Sequence, residues 1–211
     1  MHARTVTNSD YRLMRRCLEL SQRSVEAGEY PYGVVIARHG ETIVEGLNCV
    51  ARDRDVTRHA ELVAISEAQR TLGTSSLEDC AIYSSTEPCA LCSYAIRESR
   101  IGKVVYGLSS PIMGGVSRWN ILEDEHLSRS IPEVFAPPPI VLHCFLCDEA
   151  EHAMRRAAPV SSAYLRCRGI LTAGTRFRVA GRPQTGMRHR LVRFTRRTLF
   201  DRFGRHFHDR A

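Results

Sequence analysis

Cys80-Ala81-Ile82-Tyr83-Ser84-Ser85-Thr86-Glu87-Pro88-Cys89-Ala90-Leu91-Cys92 is the stretch on which the reading of this chain depends. Cys80 to Ser84 is a short apolar run of strand type, and Pro88 opens a helix running to about Ser99. Lys103 to Gly107 reads as another strand. Upstream, His59 to Leu72 reads as a helix stopped by Gly73. Before it, the apolar runs Gly33 to Ala37 and Thr42 to Glu45 are joined by Arg38-His39-Gly40-Glu41, a hairpin in which Gly40 supplies the positive backbone angle. Asp10 to Ala27 reads as a first helix: Leu13, Cys17, Leu20, Ser24 and Ala27 share one face, and Gly28 ends it. Downstream, Pro111 to Gly115 is a loop, Asn120 to His126 a short helix, Ile140 to Leu142 an apolar run after Pro137-Pro138-Pro139, and Asp148 to Arg156 a closing helix. A hairpin followed by strands alternating with helices predicts an α/β fold, a three-layer α/β/α sandwich with a mixed central sheet.

The 211 residues are 43% hydrophobic and 25% charged, ordinary composition for one domain with its own core. No apolar run of about 18 residues is present, which excludes a membrane-spanning helix, and Met1-His2-Ala3-Arg4-Thr5 has no apolar segment behind it. The expectation is a cytoplasmic protein with reduced thiols, so its eight cysteines read as metal ligands, catalytic groups or small core residues. The formal charge of +7 is unevenly spread. Residues 160–211 carry 13 Arg against two Asp, leaving residues 1–159 at −4. The expected division is one folded domain over 1–158 and an Arg-rich, disordered tail over 159–211.

Cys89 and Cys92 stand three residues apart where a helix begins, on one face of its first turn. The partial positive charge of a helix N-terminus favours thiolate. Two thiolates neutralise Zn²⁺ and leave a tetrahedral ion in need of a third protein ligand and one open position. His59 is the natural third ligand, with hydroxide in the fourth place. Glu61 follows two residues later; if both sit in a first turn facing the pocket, Glu61 reaches the bound water without ligating the metal. Either motif alone is weak, but each opens a helix and together they are unlike chance.

Thr57-Arg58-His59-Ala60-Glu61 with Thr86-Glu87-Pro88-Cys89-Ala90-Leu91-Cys92 resembles the zinc nucleobase deaminase signature, and the chain resembles the cytidine deaminase-like superfamily over about residues 10–157. The resemblance extends to Pro31-Tyr32-Gly33-Val34-Val35-Ile36, Glu45-Gly46-Leu47-Asn48, Ser99 to Gly107, and Phe145-Leu146-Cys147-Asp148-Glu149. It implies one Zn²⁺ per chain, hydrolytic removal of an amino group from a cyclic amidine as ammonia, and assembly as a homodimer. Within the superfamily the chain resembles the branch of tRNA adenosine, guanine and free-base deaminases, in which an asparagine at the position of Asn48 contacts the base. The run Leu108 to Leu122 departs from the best-known members; there Trp119 reads as a pocket wall or as packing, and Arg118 as a substrate contact or a solvated side chain.

His143-Cys144-Phe145-Leu146-Cys147 holds a second Cys-x-x-Cys, but it lacks a clear set of further ligands and reads as buried small residues. Cys17, Cys49 and Cys80 read as core, and His39 as a solvated turn residue. Two functions then compete. The acidic body favours a small-molecule substrate, a free base or nucleoside. The basic tail, acting as an arm, favours the alternative, a tRNA-specific adenosine deaminase.

Overall fold

The computed structural model describes residues 6–174. Helix α1 (Asn8–Glu26) leads into the hairpin β1 (Gly33–Arg38) and β2 (Glu41–Leu47), then a short α2 (Val50–Asp53) and α3 (Ala60–Leu72). There follow β3 (Cys80–Thr86), α4 (Ala90–Glu98), β4 (Lys103–Leu108), α5 (Glu125–Ser130), β5 (Ile140–Leu142), α6 (Cys147–Ala157) and α7 (Pro159–Cys167).

The five strands form one mixed sheet in the order β2-β1-β3-β4-β5. β1 is antiparallel to β2 and β3, while β3, β4 and β5 run parallel. Alternation along the strands divides the core. Val34, Ile36, Ile82, Val104, Tyr106 and Val141 pack with Ala60, Ala64, Ile65 and Ile96 of α3 and α4. Val35, Ala37, Tyr83, Val105 and Leu142 pack on the other face with Leu13, Met14 and Cys17 of α1 and Ala150, Ala153 and Met154 of α6. This is the three-layer α/β/α sandwich expected.

α1 begins with a capping box in which the Thr7 side chain accepts from the Asp10 backbone and the Asp10 carboxylate accepts from Thr7 N at 2.8 Å. Asp10 is nonetheless buried, and it also accepts from Tyr83 Oη (2.7 Å) and Lys103 Nζ (2.6 Å), tying the start of α1 to β3 and β4. The hairpin turn places both His39 (φ 52°) and Gly40 (φ 85°) in the left-handed region, with His39 exposed as expected.

Three departures have local causes. The short helix expected over Asn120 to His126 lies instead at α5, because Asp124 caps it by accepting from His126 N at 2.8 Å. α2 was not expected; four residues are too few to set a helical period. The expected division at 158/159 falls between α6 and α7. Pro159 opens α7, Arg166 pairs with Glu151 of α6, and Leu171 is 5% exposed within the α1/α6 core. Thr172 pairs with Ser109 at the end of β4 through two backbone hydrogen bonds of 2.9 and 3.0 Å. The remainder of the Arg-rich segment, from 175 on, lies outside the described residues. Among the described residues, no helix is long and apolar enough to cross a membrane.

Candidate metal centre and active site

His59 is the N-cap of α3, and Cys89 is the N-cap of α4, just beyond the carboxyl end of β3. Cys92 lies on the third residue of α4 and is fully buried. The chain thus aims two helix N-termini, with their partial positive charge, at one spot. His59 Nδ1 is 3.5 Å from Cys89 Sγ and 3.3 Å from Cys92 Sγ, and the two sulfurs are 3.6 Å apart. A tetrahedral Zn²⁺ with ordinary Zn–S and Zn–N bonds separates its ligand atoms by about 3.6–3.8 Å. The three edges therefore fit the ion closely, and the donor set (one imidazole, two thiols) is the one zinc prefers. Among the described residues, this is the one group of three or more His, Cys, Asp or Glu side chains able to hold a metal.

The electrostatics match. The hydrogen bond shared with Cys92, and then His59 beside it, bring the Cys89 thiol down to about 4 against the opposing effect of burial. Cys92, in contact with the Cys89 sulfur and buried, is pushed up. His59 is raised, first by its hydrogen bond with Cys89. Of the three donors, Cys89 is the one held as a thiolate.

Glu61 is the second residue of α3 and 6% exposed. Its Oε1 accepts from Ser84 Oγ of β3 at 3.2 Å, and its Oε2 lies 3.5 Å from Cys92 Sγ. Burial pushes this carboxyl above its ordinary range, and the charge on Cys89 adds to the effect. Asn48, 3% exposed at the end of β2, is placed near this site by Cys49 N, which donates to Arg58 O at 3.0 Å beside His59. Tyr32, whose carbonyl accepts from Asn48 N at 3.3 Å, packs against both halves of the core.

Several side chains that organise the site were not singled out from the sequence. Glu29 is buried and accepts from Asn48 Nδ2. Ser84 holds Glu61, as described. Glu87 is buried under the loop after β4: it accepts from Ser110 N (2.6 Å), Val116 N (2.9 Å), Ser117 N (2.6 Å) and Ser117 Oγ (2.5 Å). Gly114 lies against its carboxylate, where a Cβ would collide. A carboxylate between a strand and a helix gives no sequence signal of which backbone it will gather.

The other candidates separate. Trp119 is exposed and has the Arg118 guanidinium against its ring at 5.4 Å. Cys17, Cys49 and Cys80 are buried, as expected. Cys144 and Cys147 are only half-buried, a correction to their reading as core, and Cys144 Sγ is 3.0 Å from Ser109 Oγ. A hydrogen bond with Cys147 lowers the Cys144 thiol to about 6. A surface hollow of about 510 Å³, bordered by Gln69, Ser75, Glu98, Arg100 and Glu133, lies at the carboxyl ends of α3 and α4, away from the His59, Cys89 and Cys92 cluster.

Residues 7–108 match the model of the cytidine and deoxycytidylate deaminase zinc-binding region. The chain is 40% identical over 125 residues to the tRNA-specific adenosine deaminase of Aquifex aeolicus, covering 59% of this chain and 83% of that protein. This chain belongs to the cytidine deaminase-like superfamily. It is also 38% identical over 119 residues to the tRNA-specific adenosine deaminase of Streptococcus pyogenes serotype M1, covering 56% of this chain and 70% of the other. Among solved structures, this deaminase resembles one from work on A-to-I editing by tRNA:A34 deaminases at the wobble position of transfer RNA, with TM-score 0.58, 29% identity and coverage of 68% of this chain and 99% of the other. A guanine deaminase from Nitrosomonas europaea shares the fold, with TM-score 0.56 at 22% identity over 72% of this chain and 85% of that one. The deaminase is therefore a zinc-binding hydrolytic enzyme of this superfamily, with His59, Cys89 and Cys92 able to form the metal site.

Proposed function

We propose that this enzyme deaminates adenosine within tRNA to inosine, with Glu61 carrying the proton and Asn48 reading the base. The observation that carries the reaction is the Glu61 carboxylate, buried with one oxygen 3.5 Å from Cys92 Sγ of the donor cluster. His59, Cys89 and Cys92 would hold the ion, which when bound supplies Lewis acidity to an attacking water. Ser84 keeps Glu61 Oε1 engaged, so Oε2 is the oxygen turned toward the cluster. Once Cys92 is a thiolate it no longer donates to Oε2, which is then free to take a proton from the water. Burial, which raises the proton affinity of Glu61, suits it to carry two protons in turn: the one taken from the water goes to the ring nitrogen, and the one left on the hydroxyl added to the ring carbon goes to the departing amine, which leaves as ammonia. Asn48 offers its amide, donor and acceptor, to the base edge.

The substrate class rests on the relatives. Two tRNA-specific adenosine deaminases match most of their length, which favours RNA over the free base or nucleoside that the acidic body suggested. Self-association fits the same reading: Leu91 and Tyr94, one turn apart on α4, are about half exposed, as are Ile112 and Met113 on the loop whose Met113 carbonyl accepts from Ala90 N. The test is ammonia release from the zinc-loaded full chain. The substrates are an anticodon stem-loop RNA carrying adenosine at the wobble position, free adenosine, adenine, guanine and cytosine. Inosine in the RNA is the expected product. Turnover of a free base with none of the RNA would refute the RNA reading and leave the reaction chemistry intact.

A further inference from the structure

We propose that Glu29 is a positioning residue that fixes which way round Asn48 presents its amide to the substrate. The inference rests on the reading of Asn48 as the base-reading residue. Glu29 Oε2 accepts from Asn48 Nδ2 at 3.0 Å. With both oxygens of Glu29 receiving N–H donors, the group of Asn48 facing it must be its NH₂ and not its carbonyl. One amide hydrogen is thereby engaged. What Asn48 has left to offer is Oδ1 and the second N–H, in a fixed order along the amide plane.

The carboxylate is itself held. Its Oε2 also accepts from Ala51 N at 3.0 Å and its Oε1 from Arg52 N at 2.6 Å, at the start of α2. Glu29 N donates to Ser24 O at 2.9 Å, and Gly28 at φ 82° turns the chain out of α1 to put Glu29 there. Both side chains are buried, at 9% and 3% exposure, so water does not compete for the contact. The backbone of Asn48 is pinned separately by its bond to Tyr32 O. An asparagine with a fixed backbone and a free side chain would present either edge. Here the flip costs the hydrogen bond to Glu29 and sets the Asn48 carbonyl against a carboxylate. Glu29 therefore acts on substrate selection only through Asn48.

In Glu29→Gln, one oxygen becomes an NH₂. Placed at the Oε2 position, it opposes Ala51 N and requires an acceptor from Asn48, so the Asn48 amide turns over. Placed at the Oε1 position, it opposes Arg52 N and loosens the anchor. A merely structural role for Glu29 would lower activity too, so the test is a double-mutant cycle on the full chain. Wild type, Glu29→Gln, Asn48→Ala and the double variant are assayed on the anticodon stem-loop RNA, with zinc content measured for each. The expected result is a loss of about 10-fold or more in kcat/KM for each single variant, zinc retained, and a double variant within about 2-fold of Asn48→Ala alone. In the wild type, one Asn48 side-chain amide proton, assigned by its absence in Asn48→Ala, resonates downfield of the same proton in a solvent-exposed asparagine, and that shift is lost in Glu29→Gln.

Losses that multiply in the double variant overturn the proposal, because Glu29 would then act independently of Asn48. Glu29→Gln at wild-type activity while Asn48→Ala is impaired overturns it and leaves Asn48 as the base reader. Asn48→Ala at wild-type activity overturns both. If no variant turns over the RNA, the amide spectrum decides, and an unshifted Asn48 pair in the wild type overturns the proposal.

Discussion

Leu171→Ala tests whether the chain after residue 158 is part of the catalytic domain. Leu171 is 5% exposed and packs in the core cluster that contains Leu13, Leu142 and Met154. Leu165 and Ile170 pack against the same cluster from a partly exposed position. Truncating a buried leucine to alanine costs about 2–5 kcal/mol, more where the cavity cannot collapse. Leu171 sits at the rim of the core, beside side chains able to relax into the space, so the lower end applies, about 2–3 kcal/mol. For a domain of this size that lowers the melting temperature by about 5–10 °C. The assay is urea and thermal unfolding of the zinc-loaded full chain at fixed free zinc, since bound metal shifts both curves. A second comparison isolates the segment: a chain ending at 158 loses Leu171 and also the backbone pairing of Thr172 with Ser109, which is itself buried. It should be less stable than a chain ending at 174. A change within about 0.5 kcal/mol for Leu171→Ala, the range of an ordinary surface substitution, would refute the reasoning.

Three further outcomes are expected. Glu61→Gln keeps the shape of the side chain and removes its basic oxygen, so zinc content should match wild type while turnover falls by about 100-fold or more; comparable turnover would place the proton carrier elsewhere. Cys89→Ala removes one of the three metal donors, so atomic absorption should find the zinc of wild type, about one per chain, largely lost and activity lost with it; full activity without metal would refute the zinc site. Burial opposes ionisation of Asp10, but hydrogen bonds from Lys103, Tyr83 and Thr7 outweigh it and hold the carboxyl below its ordinary value of 3.8. A group depressed in the folded state contributes stability above its unfolded value and loses it as pH falls through its folded value. Unfolding free energy measured from pH 5 downward should therefore fall more steeply in wild type than in Asp10→Asn, and equal slopes would contradict the role assigned to Asp10.

What could be read in the sequence was what depends on neighbours along the chain. The strands and most of the helices follow from apolar period and from Gly28, Gly73 and Pro88, because each of those signals acts within a turn or a strand. The candidate metal donors were legible for the same reason: Cys89 and Cys92 share a helix start, and His59 and Glu61 share another. That the two helix starts meet was supplied by resemblance, and only the packing of α3 and α4 on one face of the sheet brings the donor atoms within 3.6 Å of one another. The tertiary structure alone decided the rest. Asp10 opens the helix expected from the sequence, and it is buried because Lys103 and Tyr83 arrive from strands far along the chain. The side chains of Glu29 and Glu87 were not singled out from the sequence, and they are interior because each gathers backbone N–H groups that would otherwise lack partners. The segment after Pro159 was read by composition as a tail. Among the described residues its arginines, Arg166 and Arg168, are exposed; that Leu171 finds a core follows from its packing with α1 and α6 beside the end of β4, which no local pattern in the sequence records.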